Sequence, residues 1–427
     1  DPDNDANPSF IVDTTDTAYY MYQPNGGGYG LETPVADPIE PGPLSEGINT
    51  LEILARDQAG NWQTVATEYE WEVDLTPPDL TTLQIHSNNA KNGAMWAKEG
   101  DTITITATSS EDIITPTVQF FGTTPADSIT GGPTEWYFTY TMQAGDPEGP
   151  IAFSIDIEDL AGNQVTETAT TDSSSITYDE TSPATNAGDD NETNALFTQT
   201  TASATDVGGS GVDFVAWIDV DVTGAITFDT SDEVNTDISS TVDGVYTLRL
   251  TAEDEAGNVA SDEMTLIWDT RAPVLEFTVP ANNATGVSTD EGTMFAYFRE
   301  LNHGTFDENI ALLDTNLVFL ENESGDDVQV GGTGTDVQIG NDLSRVLQVD
   351  YGTLDAGTTY CLTILAGAVR DVAGNVTTLD IENRCFTTAI DTTAPYITSL
   401  TTTDVGVTEA DIEAQTNEPA VCRIGTI

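Results

Sequence analysis

Apolar and polar residues alternate singly along most of the chain. Ile151, Phe153, Ile155 and Ile157 share one face of an extended segment, while Ala152, Ser154, Asp156 and Glu158 share the other. Tyr246, Leu248, Leu250 and Ala252 repeat the pattern, and Tyr69, Trp71 and Val73 set it against Glu70 and Glu72. A period of two is that of half-buried strands, so strands are predicted at each place. The β-branched run from Thr102 to Ala107 and the aromatic run from Trp136 to Tyr140 read the same way. Shorter strands are expected around Phe10–Val12, 18–22 and 51–55, the last two separated by a Gly/Pro-rich stretch, 24–43, that reads as loops.

The alternation is punctuated four times by one five-residue word. Asp57-Gln58-Ala59-Gly60-Asn61 returns as Asp159-Leu160-Ala161-Gly162-Asn163, Asp254-Glu255-Ala256-Gly257-Asn258 and Asp371-Val372-Ala373-Gly374-Asn375. Successive copies lie 102, 95 and 117 residues apart, the size of one small domain rather than of a solenoid repeat. Strands on both sides place each copy in a hairpin turn, where the Gly supplies a positive φ and the Asp either caps the turn or ligates a metal.

A second signal follows each copy: Asp74-Leu75-Thr76-Pro77-Pro78, Asp179-Glu180-Thr181-Ser182-Pro183, Asp269-Thr270-Arg271-Ala272-Pro273 and Asp391-Thr392-Thr393-Ala394-Pro395. Proline cannot donate into a ladder, so each ends the last strand of one unit and stiffens the step into the next. The expected units are 1–75, short and possibly lacking an edge strand, then 76–181, 182–270, 271–392, and a partial unit over 393–427. Three strands in that last unit do not close a sandwich. The natural chain is therefore expected to continue past Ile427 with a partner for Cys422, or else another molecule completes the fold.

Composition narrows the function. Ten Lys+Arg against 73 Asp+Glu leave a formal charge of −63, which repels nucleic acid and anionic membranes. No stretch approaches the roughly 18 apolar residues of a spanning helix. Charge of this density opposes compaction unless salt screens it or divalent cations bind, which fits saline or calcium-rich extracellular surroundings. The loops Asp189-Asp190-Asn191-Glu192 and Asp206 to Asp213 are oxygen-rich and glycine-jointed, a composition suited to Ca2+ but without the spacing of an EF-hand. Glu111-Asp112 lies where a strand end meets a neighbouring unit, as ligands or as solvated charges.

Three cysteines raise one pairing. With Tyr360, Leu362, Ile364 and Phe386 facing inward, Cys361 and Cys385 both face outward, and Ala373 lies midway between them. A symmetric hairpin brings these sulfurs side by side, and a disulfide suits an extracellular chain; a β-bulge would undo the register. Histidine occurs only at His86 and His303, in different units, so no His-based triad and no Cys/His metal spacing is visible. The chain is expected not to be an enzyme. The two lysines, Lys91 and Lys98, stand beside polar loop residues and do not suit a buried crosslink to Asn or Asp.

The Asp-x-Ala-Gly-Asn turn followed by Asp-x-Thr-x-Pro resembles the tandem immunoglobulin-like repeats of large bacterial surface and secreted proteins, adhesins among them. From Pro280 to Thr388, through Ala284-Thr285-Gly286-Val287-Ser288 and the late Asp371 turn, the chain resembles the bacterial Ig-like module also found in S-layer proteins. Residues 393–427 resemble the start of a fibronectin type III domain, through Ala394-Pro395 and Asn417-Glu418-Pro419-Ala420. The resemblance implies an all-β fold of tandem immunoglobulin-like sandwiches arranged as an elongated rod. It also implies Ca2+ at the joints, held by the linker acids Asp74, Asp179, Asp269 and Asp391 with the turn acids Asp57, Asp159, Asp254 and Asp371, and with Glu111 as a further candidate.

The function expected on these grounds is an extracellular stalk of a bacterial surface adhesin, made rigid by calcium, whose partner is a host or surface ligand. One alternative is an S-layer or filament subunit that pairs with neighbouring copies of itself. Another is a carbohydrate-binding array of a secreted enzyme.

Overall fold

The computed structural model describes residues 3–299, 310–328, 337–339, 346–405, 410–417 and 420. Its regular structure there is all β, apart from one 3-10 turn at Thr315–Leu317. His303 and Cys422 lie outside the described residues. His86 sits exposed on the strand Leu80–Ser87.

Buried side chains gather in four separate clusters, spanning 10–71, 80–178, 187–268 and 275–386. The second shows how the pattern builds a core. Along Thr102–Ser109 exposure alternates residue by residue, with Ile103 and Ile105 wholly inside. This strand lies between Leu80–Ser87 and Glu135–Thr141 in one four-stranded sheet, whose outer member is Ser128–Gly131. The other sheet orders Gln164–Glu167, Phe153–Glu158, Thr117–Phe120 and Thr124–Pro125. Ile103, Ile105 and Phe138 of the first sheet share one cluster with Val118, Phe120 and Ile155 of the second. Burying each such side chain contributes about 1.5–3 kcal/mol, which makes the cluster the main stabilising element of this unit.

In the third unit Gly244–Asp254 runs between Val212–Asp219 and Val259–Trp268, and Tyr246, Leu248, Leu250 and Ala252 are all buried. In the fourth, one sheet contains Val274–Val279, Gly292–Arg299, Val346–Tyr351 and Val337–Ile339. The other contains Ala284–Val287, Ile381–Thr388, Thr359–Ile364 and Val318–Asn322.

The first unit differs. It has one sheet, ordered Thr33–Pro34, Thr17–Pro24, Gly47–Asp57 and Thr67–Val73. Its second layer is mostly irregular chain, tied by a bridge between Phe10 and Ile39. Tyr69, expected inward with Trp71 and Val73, is 54% exposed, with the rings of Phe10 and Trp71 beside it. The last described element is a hairpin of Ile397–Val405 with Ala410–Thr416.

Cys361 and Cys385 face each other in register and are joined by a disulfide, with a Cα separation of 4.0 Å. The connection between them is more than a simple hairpin. Val369–Asp371 leaves the pair to lie against Ile310–Leu312, so the fourth turn stands beyond a second, smaller ladder. The register nevertheless keeps Ala373 midway, and it shifts only past Leu362.

Candidate metal centres

All four motif turns are built alike. Gly60, Gly162, Gly257 and Gly374 have φ between 88° and 101°, the left-handed region a Cβ disfavours. In each turn the Asp carboxylate accepts from the Asn backbone N–H and, through its other oxygen, from the Asn side chain: Asn163 to Asp159 at 2.9 and 2.8 Å, Asn258 to Asp254 at 2.8 and 3.0 Å, and Asn375 to Asp371 at 2.7 and 2.9 Å. At the first turn Asn61 holds Asp57 in the same way, at 2.8 and 2.9 Å.

The Asn amide has a second hydrogen, and its destination organises the chain. Asn163 donates it to the carbonyl of Asp74 at 2.9 Å. Asn258 donates to the carbonyl of Asp179 at 3.0 Å, and Asn375 to that of Asp269 at 3.0 Å. Each turn therefore latches onto the linker that precedes its own sandwich. The linker carboxylates turn back on their own chain, since Asp74, Asp179 and Asp269 accept from the N–H two residues on, at Thr76, Thr181 and Arg271.

The latch brings linker acid and turn acid together, and at two joints a third acid joins them. Carboxylate oxygens of Asp74, Glu111 and Asp159 lie within 4.8 Å of one another, as do those of Asp179, Asp206 and Asp254. At the third joint the charges of Asp269 and Asp371 reach Glu192, but these three carboxylates are not gathered within that distance. Asp159, Asp179, Asp254, Asp269 and Asp371 are all buried, at 2% exposure or less, so their charges are far more costly than surface carboxylates.

Three carboxyls at the joints, Glu111, Glu192 and Asp371, are raised. Burial pushes the Glu111 carboxyl up, and the charges of Asp74, Asp159 and Glu46 push it further. Burial raises Glu192 likewise, aided by Asp269 and Asp371. Asp371 is raised by burial and by Asp269, against the lowering pull of its hydrogen bonds from Asn375 and Gly374. The half-buried Asp57 is instead lowered by its hydrogen bonds from Asn61.

These oxygen sets suit a hard divalent cation, which accepts six to eight oxygens in loose geometry. Two observations support the fit. Asp206 turns a buried oxygen, Oδ1, toward no hydrogen-bond partner, and the Glu111 carboxyl is raised by burial and by its acidic neighbours Asp74, Asp159 and Glu46.

Of the residues singled out from sequence, Asp74, Glu111 and Asp159 meet at the first joint, Asp179 and Asp254 at the second, and Asp269 and Asp371 at the third. Asp57 stands apart on the exposed first turn, and Asp391 is exposed, with the Thr393 N–H bonded to its Oδ1 at 2.8 Å. Asp206 and Glu192 belonged to loops noted only as oxygen-rich. For Asp206 a positional signal existed, since Glu111 and Asp206 both precede, in the same segment, the residue that pairs with a turn Asp: Ile113 with Asp159, and Val212 with Asp254.

Residues 269–388 match the bacterial Ig-like domain family. No curated protein matches the chain. Among solved structures, extracellular cadherin domains 3–6 of protocadherin gamma B2 are similar at 11% identity and a TM-score of 0.27, covering 91% of this chain and 100% of that one. Sidekick-1 immunoglobulin domains 1–4 show 11% identity and 0.23, covering 87% and 90%. The fibronectin(III)-like modules of Clostridium thermocellum CbhA show 15% and 0.21, covering 44% and 94%. Scores this low leave those likenesses without weight. Residues 269–388 thus match the bacterial Ig-like domain family, in a chain whose fold is a tandem array of immunoglobulin-like β-sandwiches.

Proposed function

We propose that the chain is an extracellular structural stalk of a bacterial surface adhesin, non-catalytic, with Ca2+ at its joints converting a string of sandwiches into a rod. The units of this stalk are 1–75, 76–181, 182–270, 271–392 and the start of another over 393–427. The observation that carries the reading is the repeated latch, in which one Asn amide ties each turn to the linker before it and gathers two or three carboxylates at the same point.

The physical argument concerns charge. Carboxylate oxygens within 4.8 Å of one another repel by at least about 3.5 kcal/mol per pair at an effective dielectric constant near 20. A bridging divalent cation reverses the sign of that term and holds the joint at one angle. Calcium at the first joint takes oxygens from Asp74, Glu111 and Asp159, at the second from Asp179, Asp206 and Asp254, and at the third from Asp269, Glu192 and Asp371. What this chemistry supplies is stiffness, which a stalk needs in order to present a distant tip.

Small-angle scattering of residues 1–427 tests the proposal, in millimolar Ca2+ and then in chelator at matched ionic strength. A larger spread of conformations on chelation is expected; superimposable curves would remove calcium from the joints. The exposed apolar side chains of the last hairpin, Tyr396, Ile397 and Leu400, favour a second reading as a self-assembling subunit. Particles much larger than one chain in either buffer would select it.

A further inference from the structure

The chain has two lysines, and both are spent on one joint. Lys91 Nζ donates to the carbonyl of Asp254 at 2.7 Å and pairs with the carboxylates of Asp213 at 2.9 Å and Glu253 at 3.0 Å. Lys98 Nζ donates to the carbonyl of Gly257 at 2.5 Å. Between them Asn89, itself buried, donates to the carbonyl of Ala256 at 2.9 Å. Three carbonyls of the turn 254–258 are therefore held by side chains of the preceding sandwich.

The segment that supplies these groups is preorganised. Asn89 Oδ1 accepts from the N–H groups of Lys91 and Asn92, both at 2.9 Å. Asp101 Oδ2 accepts from the Asn89 amide at 2.7 Å and from the Lys98 N–H at 2.8 Å.

At the corresponding turns asparagine side chains make the contacts, and at the third joint Arg271 pairs with Asp243 at 2.9 Å. At the third joint Asn194 donates to Asn375 Oδ1 at 2.9 Å, besides the Asn375 latch. At the first, Asn163 provides the latch and Asn4 lies against Gly162. With only two lysines in the chain, neither of these turns has an ammonium to draw on.

We infer that the joint between the second and third sandwiches is locked by the protein's own ammonium groups and keeps its geometry without a divalent cation, whereas the joints on either side depend on one. The second half of this statement rests on the calcium reading above; the first half does not. A fixed pair of sandwiches flanked by two cation-dependent joints is the consequence, so chelation hinges the stalk at two places rather than three.

Hydrogen exchange of the full chain tests this at the three turns 159–163, 254–258 and 371–375, with Ca2+ and with chelator, in the wild type and in the double variant Lys91→Met/Lys98→Met. Exchange in Thr102–Ser109 serves as the control for an intact fold. In chelator the wild type is expected to keep protection at 254–258 and to lose it at the other two turns. The variant loses protection at 254–258 in chelator by at least about tenfold, the scale of two charge-assisted hydrogen bonds. Unchanged exchange there in the variant overturns the lock. If chelation moves none of the three turns in the wild type, the calcium reading fails, and the variant in the same buffer still decides the lock. Should the variant not fold, the wild type in chelator at about 1 M salt substitutes, because screening weakens the Lys91 pairs and faster exchange at 254–258 is then expected; unchanged exchange counts against the lock.

Discussion

Replacing Glu111 with Gln separates the two roles a joint carboxylate plays. The substitution keeps size and hydrogen-bonding capacity but removes one charge from the set with Asp74 and Asp159. Two repulsive pairs disappear, each at least about 3.5 kcal/mol at an effective dielectric constant near 20. Glu111 is only partly buried, so screening by water reduces the measurable gain to about 1 kcal/mol. In chelator the unit 80–178 should then unfold about 4–8 °C higher than in the wild type. In Ca2+ the same change removes a ligand and weakens binding by at least about tenfold, or about 1.4 kcal/mol. The advantage seen in chelator is therefore cancelled in calcium. Differential scanning calorimetry in both buffers, with calorimetric titration of Ca2+, measures both arms. A lower midpoint in chelator, or a calcium response equal to that of the wild type, refutes the reasoning.

Two further outcomes follow from the same geometry. Reducing the Cys361–Cys385 bridge, or replacing both residues with Ser, frees a loop of 24 residues and should cost the fourth unit about 3 kcal/mol on the chain-entropy account; calorimetry would show its transition moving while that of 80–178 stays, and no shift would contradict this. The raised carboxyls of Glu111, Glu192 and Asp371 keep their protons in the folded state at a pH where the unfolded chain releases them. Their ionisation penalty is absent below the ordinary carboxyl range and complete above the raised values, so in chelator the joints weaken as pH rises through that window. Ca2+ competes with those protons, and its affinity should climb between about pH 4 and 7; a titration series showing flat affinity would contradict the assignment.

Much of the architecture was legible along the chain because period-two alternation carries its own geometry. Ile151, Phe153, Ile155 and Ile157 had to share a face, and they share the core. Gly60, Gly162, Gly257 and Gly374 announced turns because only glycine tolerates that φ cheaply. Cys361 and Cys385 could be paired because a ladder preserves the sum of the paired residue numbers, and the shift past Leu362 came too late to matter. Where alternation had no second layer to face, as at Tyr69, the inference failed.

The partners at each joint were a different matter. The sequence by itself determined that linker and turn acids recur at domain spacing. It did not determine that each turn meets the linker before its own sandwich, or that Asp206 completes a set while Asp57 stands apart. Lys91 lies 163 residues from the carbonyl it holds. No periodicity reports a contact at that separation, because strand patterns encode which face is buried and not what the end of the next sandwich presents. Only the tertiary structure brings those ends together, and the charges gathered there follow from that meeting.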